Sequence, residues 1–465
     1  MRLPLTLLAG LLAAHTTLAA PFTQEVLDQG QQLRQHATVS NQAWNLLESL
    51  TTEVGPRLPG TEADRRAVAW AKAKLETMGF DKVYAEPVTV PHWHRGEAKA
   101  SITAPFPQPL VVSALGNTIG TPAEGVEAQV VVFDTLEDLK QADASSVKGK
   151  IVFINHKMER HKNGRGYGPV VKARGKGAVE AAKKGAVAML LRSVGTDSHR
   201  FAHTGMMRYQ DGIAQIPAAA LSNPDADQLA RLLKREQPVR LNLTLGSETR
   251  AEQTSYNVVA EITGSTLPND VVLIGAHLDS WDEGTGALDD GAGVAIVTAA
   301  AKHIIERDLK PKRTIRVVLF AAEEIGLVGA KAYKKAHLDT LDRIYIAAEA
   351  DFGAGPIYRL DSRVNEAALP MMDEVARQLA SLGVERGHNR TWGGPDVSIL
   401  PDEGVPVAGL SMDGTDYFDF HHTMDDTLDK VDPDALRQSS TVYTLYTWLM
   451  ANAEQPLRPI PLPKE

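Results

Sequence analysis

The chain is predicted to be an α/β protein: a mostly parallel-centred mixed sheet flanked by helices, with a second, smaller α/β domain inserted. Three observations predict this. Four short apolar runs, 271–276, 314–322, 344–350 and 405–410, suit strands buried on both faces of a largely parallel sheet. Helical patterns separate them, "GVAIVTAAAKHIIERD" after the first, "LVGAKAYKKAHL" after the second and "LPMMDEVARQLASLG" between the third and fourth. Between about 96 and 252 the character changes to alternating short β-rich and helical runs such as "VEAQVVVFDT", "GKIVFINH" and "GAVEAAKKGAVAMLLRS".

The elements follow in order. "MRLPLTLLAGLLAAHTTLAA" has one early Arg, an apolar run and small residues. It reads as a secretory signal peptide cleaved after Ala19, too short to span a bilayer comfortably. Residues 41–80 read as helices around the turn "GPRLPGT". The expected organisation is 1–19 leader, 20–95 first part of the main domain, 96–252 insert and 253–465 remainder of the main domain. The last helix is expected to start at "DPDALRQ", with Asp432 as N-cap and Pro433 as first helical residue.

Composition narrows the function. Hydrophobic content of 43% and charged content of 23% are ordinary for a globular protein. Losing the leader removes only Arg2 among charged residues and takes the net charge from −9 to −10. There is no basic stripe, so nucleic acid is not an expected partner. No membrane span is expected either. The chain has no Cys. An exported protein of this kind, periplasmic or secreted from a bacterium, relies on its core and on any bound metal rather than on disulfides.

The stretch "GAHLDSWDEGTGALDDGAG" (275–293) packs one His, four Asp and five Gly behind the first apolar run. His277 and Asp279 lie just past that run, Glu323 and Glu324 just past the second, Asp351 just past the third, and "FHHTMDDT" (420–427) comes some ten residues after the fourth. Ligands of open α/β sheets bind outside the carboxyl ends of the strands, so acidic and imidazole groups are delivered repeatedly to one rim. Without thiolates, any metal there has nitrogen and oxygen ligands. Glu323 and Glu324 are adjacent and cannot both enter one metal shell. One is expected to ligate and the other to accept a proton from water. Of His421 and His422, only one is expected to ligate.

These motifs, "HLDSWDEGTGALDDGAG", "AAEEIG", "EADFGAG" and "YFDFHHTMDDT", resemble those of the cocatalytic zinc peptidases of the M28 family. Within it they resemble the plasma glutamate carboxypeptidase (carboxypeptidase Q) subgroup. The resemblance covers nearly the whole mature chain, with "GPRLPGT" and "HTGMMRYQDG" (203–212) included. It implies a zinc aminopeptidase-like fold, a protease-associated-like insert that lids the pocket, and two Zn²⁺ per subunit. Asp289 matches the bridging carboxylate. His277 and Asp351 complete one metal, Glu324 and His422 the other. Glu323 matches the general base, and Asp279 a carboxylate that orients His277. Reading His-Thr-x-x-acid-Thr from His422 gives Thr423, Asp426 and Thr427, which favours His422 over His421. Asp290 is an N-cap or a catalytic group, and the family often has a cis peptide between the two Asp.

The implied substrate is a small peptide, chiefly a dipeptide with free ends, and the implied assembly a homodimer. Asp416 and Tyr417 are candidate pocket residues, and Arg208 or Arg390 a candidate partner for a carboxylate. His92, His94, His303, His337 and His388 match no ligand role. Three rival readings share parts of the pattern. An M20-type peptidase has its bridging Asp much farther from the His, and its extra domain follows the Glu pair. A glutaminyl cyclase has one metal, which leaves His277 and Asp351 without a role. A non-catalytic binding protein on the same fold would be expected to lose ligands.

Overall fold

The computed structural model describes residues 21–235 and 237–461, so the expected leader lies outside the described residues. The main sheet has eight strands, ordered Lys82–His94, Glu248–Ile262, Arg313–Phe320, Leu267–His277, Ile344–Glu349, Val407–Met412, Ile357–Arg363 and Glu385–Arg386. The four central strands pair in parallel, and antiparallel pairs flank them. Those four are the apolar runs read from the sequence. Each residue from Val271 to His277 is buried, as a strand covered on both faces requires.

One face carries the helices Ala292–Glu306 and Pro433–Asn452, which pack on each other and on the N-terminal helices Gln24–Thr38 and Gln42–Ser49. The other face carries Val328–Ala336, which buries Ala330 and Tyr333 against the sheet. The long final helix starts as expected, with the Asp432 side chain accepting from Asp434 N and Pro433 in the first turn. The helix Ala292–Glu306 approaches the sheet so closely that a Cβ on Gly293 would lie 1.9 Å from the Ala350 carbonyl oxygen. Glycine is therefore required where this helix begins, one residue away from Asp351 on the neighbouring strand exit.

Among the elements not read from the sequence are two strands of the main sheet. Lys82–His94 is an exposed edge strand, and it contains Pro87 and Pro91. Proline is tolerated at an edge because half of the backbone donors there have no ladder partner. Ile357–Arg363 pairs antiparallel with Val407–Met412.

A second eight-stranded sheet is built from segments between Ala98 and Leu245. Its strands Val126–Phe133, Ile151–Ile154, Ala188–Arg192 and Ala218–Leu221 are parallel. The helix Tyr167–Lys183 packs against it, burying Val170, Ala173 and Ala178. This unit sits over the carboxyl ends of the main strands, and a cavity of about 820 Å³ lies between the two. Among the described residues no helix is long and apolar enough to cross a membrane.

Candidate metal centre

The strand exits converge on one buried cluster. His277 ends its strand and turns its ring into the rim. Its backbone N–H donates to Asp290 (3.1 Å), and its Nδ1 lies 3.0 Å from the Asp279 carbonyl oxygen. That leaves Nε2 facing Asp289 Oδ1 at 3.2 Å and Asp351 Oδ2 at 3.8 Å. On the far side of Asp289, Oδ2 faces His422 Nε2 at 3.3 Å, and His422 Nε2 faces Glu324 Oε2 at 3.0 Å. The donors thus divide into His277 with Asp351 and His422 with Glu324, and Asp289 offers one oxygen to each side.

The loop carrying Asp289 is held from two directions. Arg57, from "GPRLPGT", is fully buried and donates to the carbonyls of Leu278 (2.5 Å), Thr285 (2.7 Å) and Gly286 (2.9 Å). Asp426 accepts from Leu288 N (2.6 Å) and Asp289 N (3.2 Å). The Asp289–Asp290 peptide is cis. Asp290 acts as a helix cap through Gly293 N (3.0 Å) while it also receives the His277 N–H. The Asp279 carboxylate lies 3.5 Å from His277 Nδ1, and it accepts from Glu323 N (3.0 Å) and Glu324 N (3.3 Å). It therefore braces the Glu pair, while its own backbone carbonyl meets the imidazole.

His421 stacks on His422, with ring centroids 3.6 Å apart, and its Nε2 lies 3.5 Å from Asp289 Oδ2. It reaches Asp289 alone, whereas His422 reaches both Asp289 and Glu324. His422 takes a positive φ of 62°, unusual for a side chain other than glycine. Thr204 of the second sheet's unit holds it there: Thr204 N donates to the His422 carbonyl (2.9 Å), and Thr204 O lies 3.2 Å from Nδ1.

Burial raises the Glu323 and Asp351 carboxyls well above their ordinary range, and neighbouring acids add to it. Burial also raises Asp289, yet the imidazoles of His277, His422 and His421 around it overcome this and hold it well below. Burial lowers His422, but Glu324 and Asp289 push it up to about 9. His277 is likewise carried well above its usual value by Asp351, Asp279 and Asp289 against the effect of burial. Acids crowded this closely call for positive charge among them, which a divalent cation on each side of Asp289 would supply. The donor set fits them. Asp289 Oδ2 and Glu324 Oε1 are buried with no hydrogen-bond partner. Two donors at ~2.0–2.2 Å from a tetrahedral ion stand roughly 3.3–3.6 Å apart, close to the spacings found here.

Other candidates sort by position. Tyr417 and Arg208 line the cavity beside Glu323 and Asp351. Asp416 turns away to pair with Arg160 (2.7 Å), and Arg390 is exposed outside the cavity wall. Trp281, unread from sequence, donates to Glu324 Oε2 (2.6 Å). Asp426 was signalled by its place in the His-Thr-x-x-acid-Thr pattern. Arg57 and Trp281 act across the fold with no comparable local signal.

A mixed sheet with buried imidazoles and carboxylates at its parallel strand exits defines a metallopeptidase of the zinc aminopeptidase fold. The chain belongs to peptidase family M28, whose family model matches residues 257–447. It is 37% identical to human carboxypeptidase Q over 91% of this chain and 88% of that protein. The crystal structure of a peptidase M28 precursor from Shewanella amazonensis SB2B superposes with a TM-score of 0.93. The two are 59% identical, and the match covers 95% of this chain and 99% of that one. A zinc aminopeptidase from Bacillus subtilis shares the fold, with a TM-score of 0.62 at 20% identity over 87% of this chain and 93% of that one.

Proposed function

We propose that this peptidase is an exported dinuclear zinc exopeptidase that cleaves dipeptides and other short peptides with free ends. The observation that carries the reading is the split donor set, His277 with Asp351 and His422 with Glu324, joined by the two oxygens of Asp289. Imidazole nitrogen and carboxylate oxygen without thiolate suit zinc. When bound, such a pair supplies a water of lowered pKa and a Lewis acid for the scissile carbonyl.

The chain supplies the proton transfers and the enclosure. Glu323 lines the cavity, and its backbone is fixed by Asp279. It takes a proton from the attacking water and passes it to the departing amine nitrogen. Its raised pKa, set by burial and then by its acidic neighbours, suits a group that must hold that proton between the two steps. A cavity of about 820 Å³ closed by the 96–252 insert, which we take as a separate domain, suits a small ligand. Export follows from the leader at 1–19, and the assembly implied by the resemblance is a homodimer.

Glu323→Gln tests the reading. The variant keeps its metal by elemental analysis and loses roughly 10²–10⁴-fold in turnover of dipeptides, while the wild type leaves long N-blocked peptides largely uncut. Normal turnover in Glu323→Gln removes the base assignment, and equal rates on both substrate types remove the dipeptide assignment.

A further inference from the structure

Arg174 lies in the helix Tyr167–Lys183 of the second sheet's unit, is only 7% exposed and forms part of the cavity wall beside Glu324 and His422. Its side chain has two polar neighbours, Tyr167 OH at 2.7 Å from Nη2 and His422 Nδ1 at 3.2 Å from Nη1. Neither is an anion, and Nε is buried with no partner. A buried cation without a counter-charge is costly, and proteins seldom keep one unless something compensates it.

The chemistry of His422 sharpens the point. If Nε2 faces a metal, Nδ1 carries the ring proton and donates it to Thr204 O at 3.2 Å. Nδ1 then cannot accept from Arg174. Two guanidinium nitrogens, Nη1 and Nε, are left without an acceptor at the edge of the cavity. The backbone is shaped to admit this side chain: Gly205 has φ 131°, and a Cβ there would lie 2.4 Å from Nη1. The cavity, apolar over much of its lining, also carries side chains of both charges. Its acidic floor, Asp289, Glu323, Glu324 and Asp351, comes from the main sheet's rim, and Arg174, Lys176 and Arg208, with Glu180, come from the second sheet's unit.

We infer that Arg174 binds the terminal carboxylate of the substrate, so that a zwitterionic dipeptide lies with its amine toward the acidic floor and its carboxylate on this guanidinium. The inference rests on the peptidase reading above. One residue spans at most ~3.3–3.6 Å, so in a dipeptide the carboxylate sits that far beyond the scissile carbonyl. Arg174 stands one imidazole ring behind the proposed metal ligand. A longer peptide would bring a neutral amide to the same place, which ties the preference for short substrates to one residue. Arginine suits the task because its charge is permanent and its donors meet carboxylate oxygens in a fixed plane.

The test compares a dipeptide with its C-terminal amide, and free leucine with leucinamide as competing ligands measured by calorimetry. Wild type, Arg174→Met and Arg208→Met are each checked for zinc content and melting temperature. Wild type is expected to favour the free acid. In Arg174→Met the acid-over-amide ratio in kcat/KM falls about tenfold to a hundredfold, mainly through KM, and leucine loses its advantage over leucinamide. Arg208→Met keeps most of the ratio. The inference is overturned if Arg174→Met preserves the ratio, if it slows acid and amide equally, or if Arg208→Met alone abolishes the ratio. If Arg174→Met does not fold, Arg174→Gln carries the same comparison. If wild type cleaves neither substrate yet binds leucine over leucinamide through Arg174, the peptidase reading falls and the carboxylate site stands.

Discussion

Replacing Asp426 by Asn should weaken metal binding without touching a proposed ligand. The Asp426 carboxylate is buried and accepts from two consecutive backbone donors, Leu288 N at 2.6 Å and Asp289 N at 3.2 Å. Asparagine keeps one acceptor oxygen and turns an NH₂ group toward the other N–H. One charge-assisted hydrogen bond is lost, about 1.5–3 kcal/mol at a buried site, and a donor faces a donor. The strain falls on the Asp289 backbone, whose two carboxylate oxygens must each meet a different donor set. Loss of a partner that orients a ligand typically costs about 10- to 100-fold in metal affinity. Competition with a fluorescent zinc chelator measures this directly, and circular dichroism of the metal-free protein separates it from unfolding. Asp426→Ala, which strands both amides, should be at least as severe. If both variants hold zinc within threefold of wild type, the Asp289 loop does not depend on this clamp.

Two further outcomes follow from the packing. Gly293→Ala places a methyl 1.9 Å from the Ala350 carbonyl and 2.3 Å from Asp290 Oδ1; it should cost about 1–3 kcal/mol or more in urea unfolding and lower zinc affinity by displacing the Asp351 strand end, and an unchanged midpoint would refute the close approach. His303 is buried against Thr444 Oγ1 (3.0 Å), with His36 and Glu306 nearby, and burial first and His36 second lower its pKa to about 4. The unfolded chain therefore takes up this proton first as pH falls below 6.5, and stability is lost between about 6.5 and 4. That drop corresponds to about 3 kcal/mol, so the wild-type minus His303→Gln stability difference should shrink by that amount across the window, and a flat difference would contradict it.

What the sequence disclosed follows from where its information is local. The parallel strands were legible because burial on both faces leaves an uninterrupted apolar run, as in "VVLIGA" and "TIRVVLFAA". The chemistry was legible because those runs end in His277, Glu323, Glu324 and Asp351, and strand ends of a parallel sheet share a rim. The edge strand Lys82–His94 was missed because an exposed edge needs no apolar run and tolerates Pro87 and Pro91. Arg57 was visible only as part of a turn. Its carbonyl partners Leu278, Thr285 and Gly286 lie more than two hundred residues away, and no periodicity encodes such a pairing. Asp279 was read as a partner of an imidazole, and the structure shows its carboxylate also spent on the Glu323 and Glu324 amides.

The second sheet's unit does more than cover the cavity. His203, buried with Asp197 at 2.6 Å, lies 2.7 Å from the His421 carbonyl through its other nitrogen. Thr196 and Arg160 both hold Asp419, and Thr204 holds the backbone of His422. The loop that presents His422 is therefore fixed from the unit above it, and the positive φ at His422 persists because several hydrogen bonds from that unit oppose its relaxation. Arg174 comes from the same unit and stands behind the same imidazole. A unit that merely shielded the site could be loosened without consequence for the ligand loop. Here any movement of it away from the main sheet would have to break the Thr204, His203 and Arg160 contacts, and it would disturb a proposed metal ligand and the proposed carboxylate anchor together.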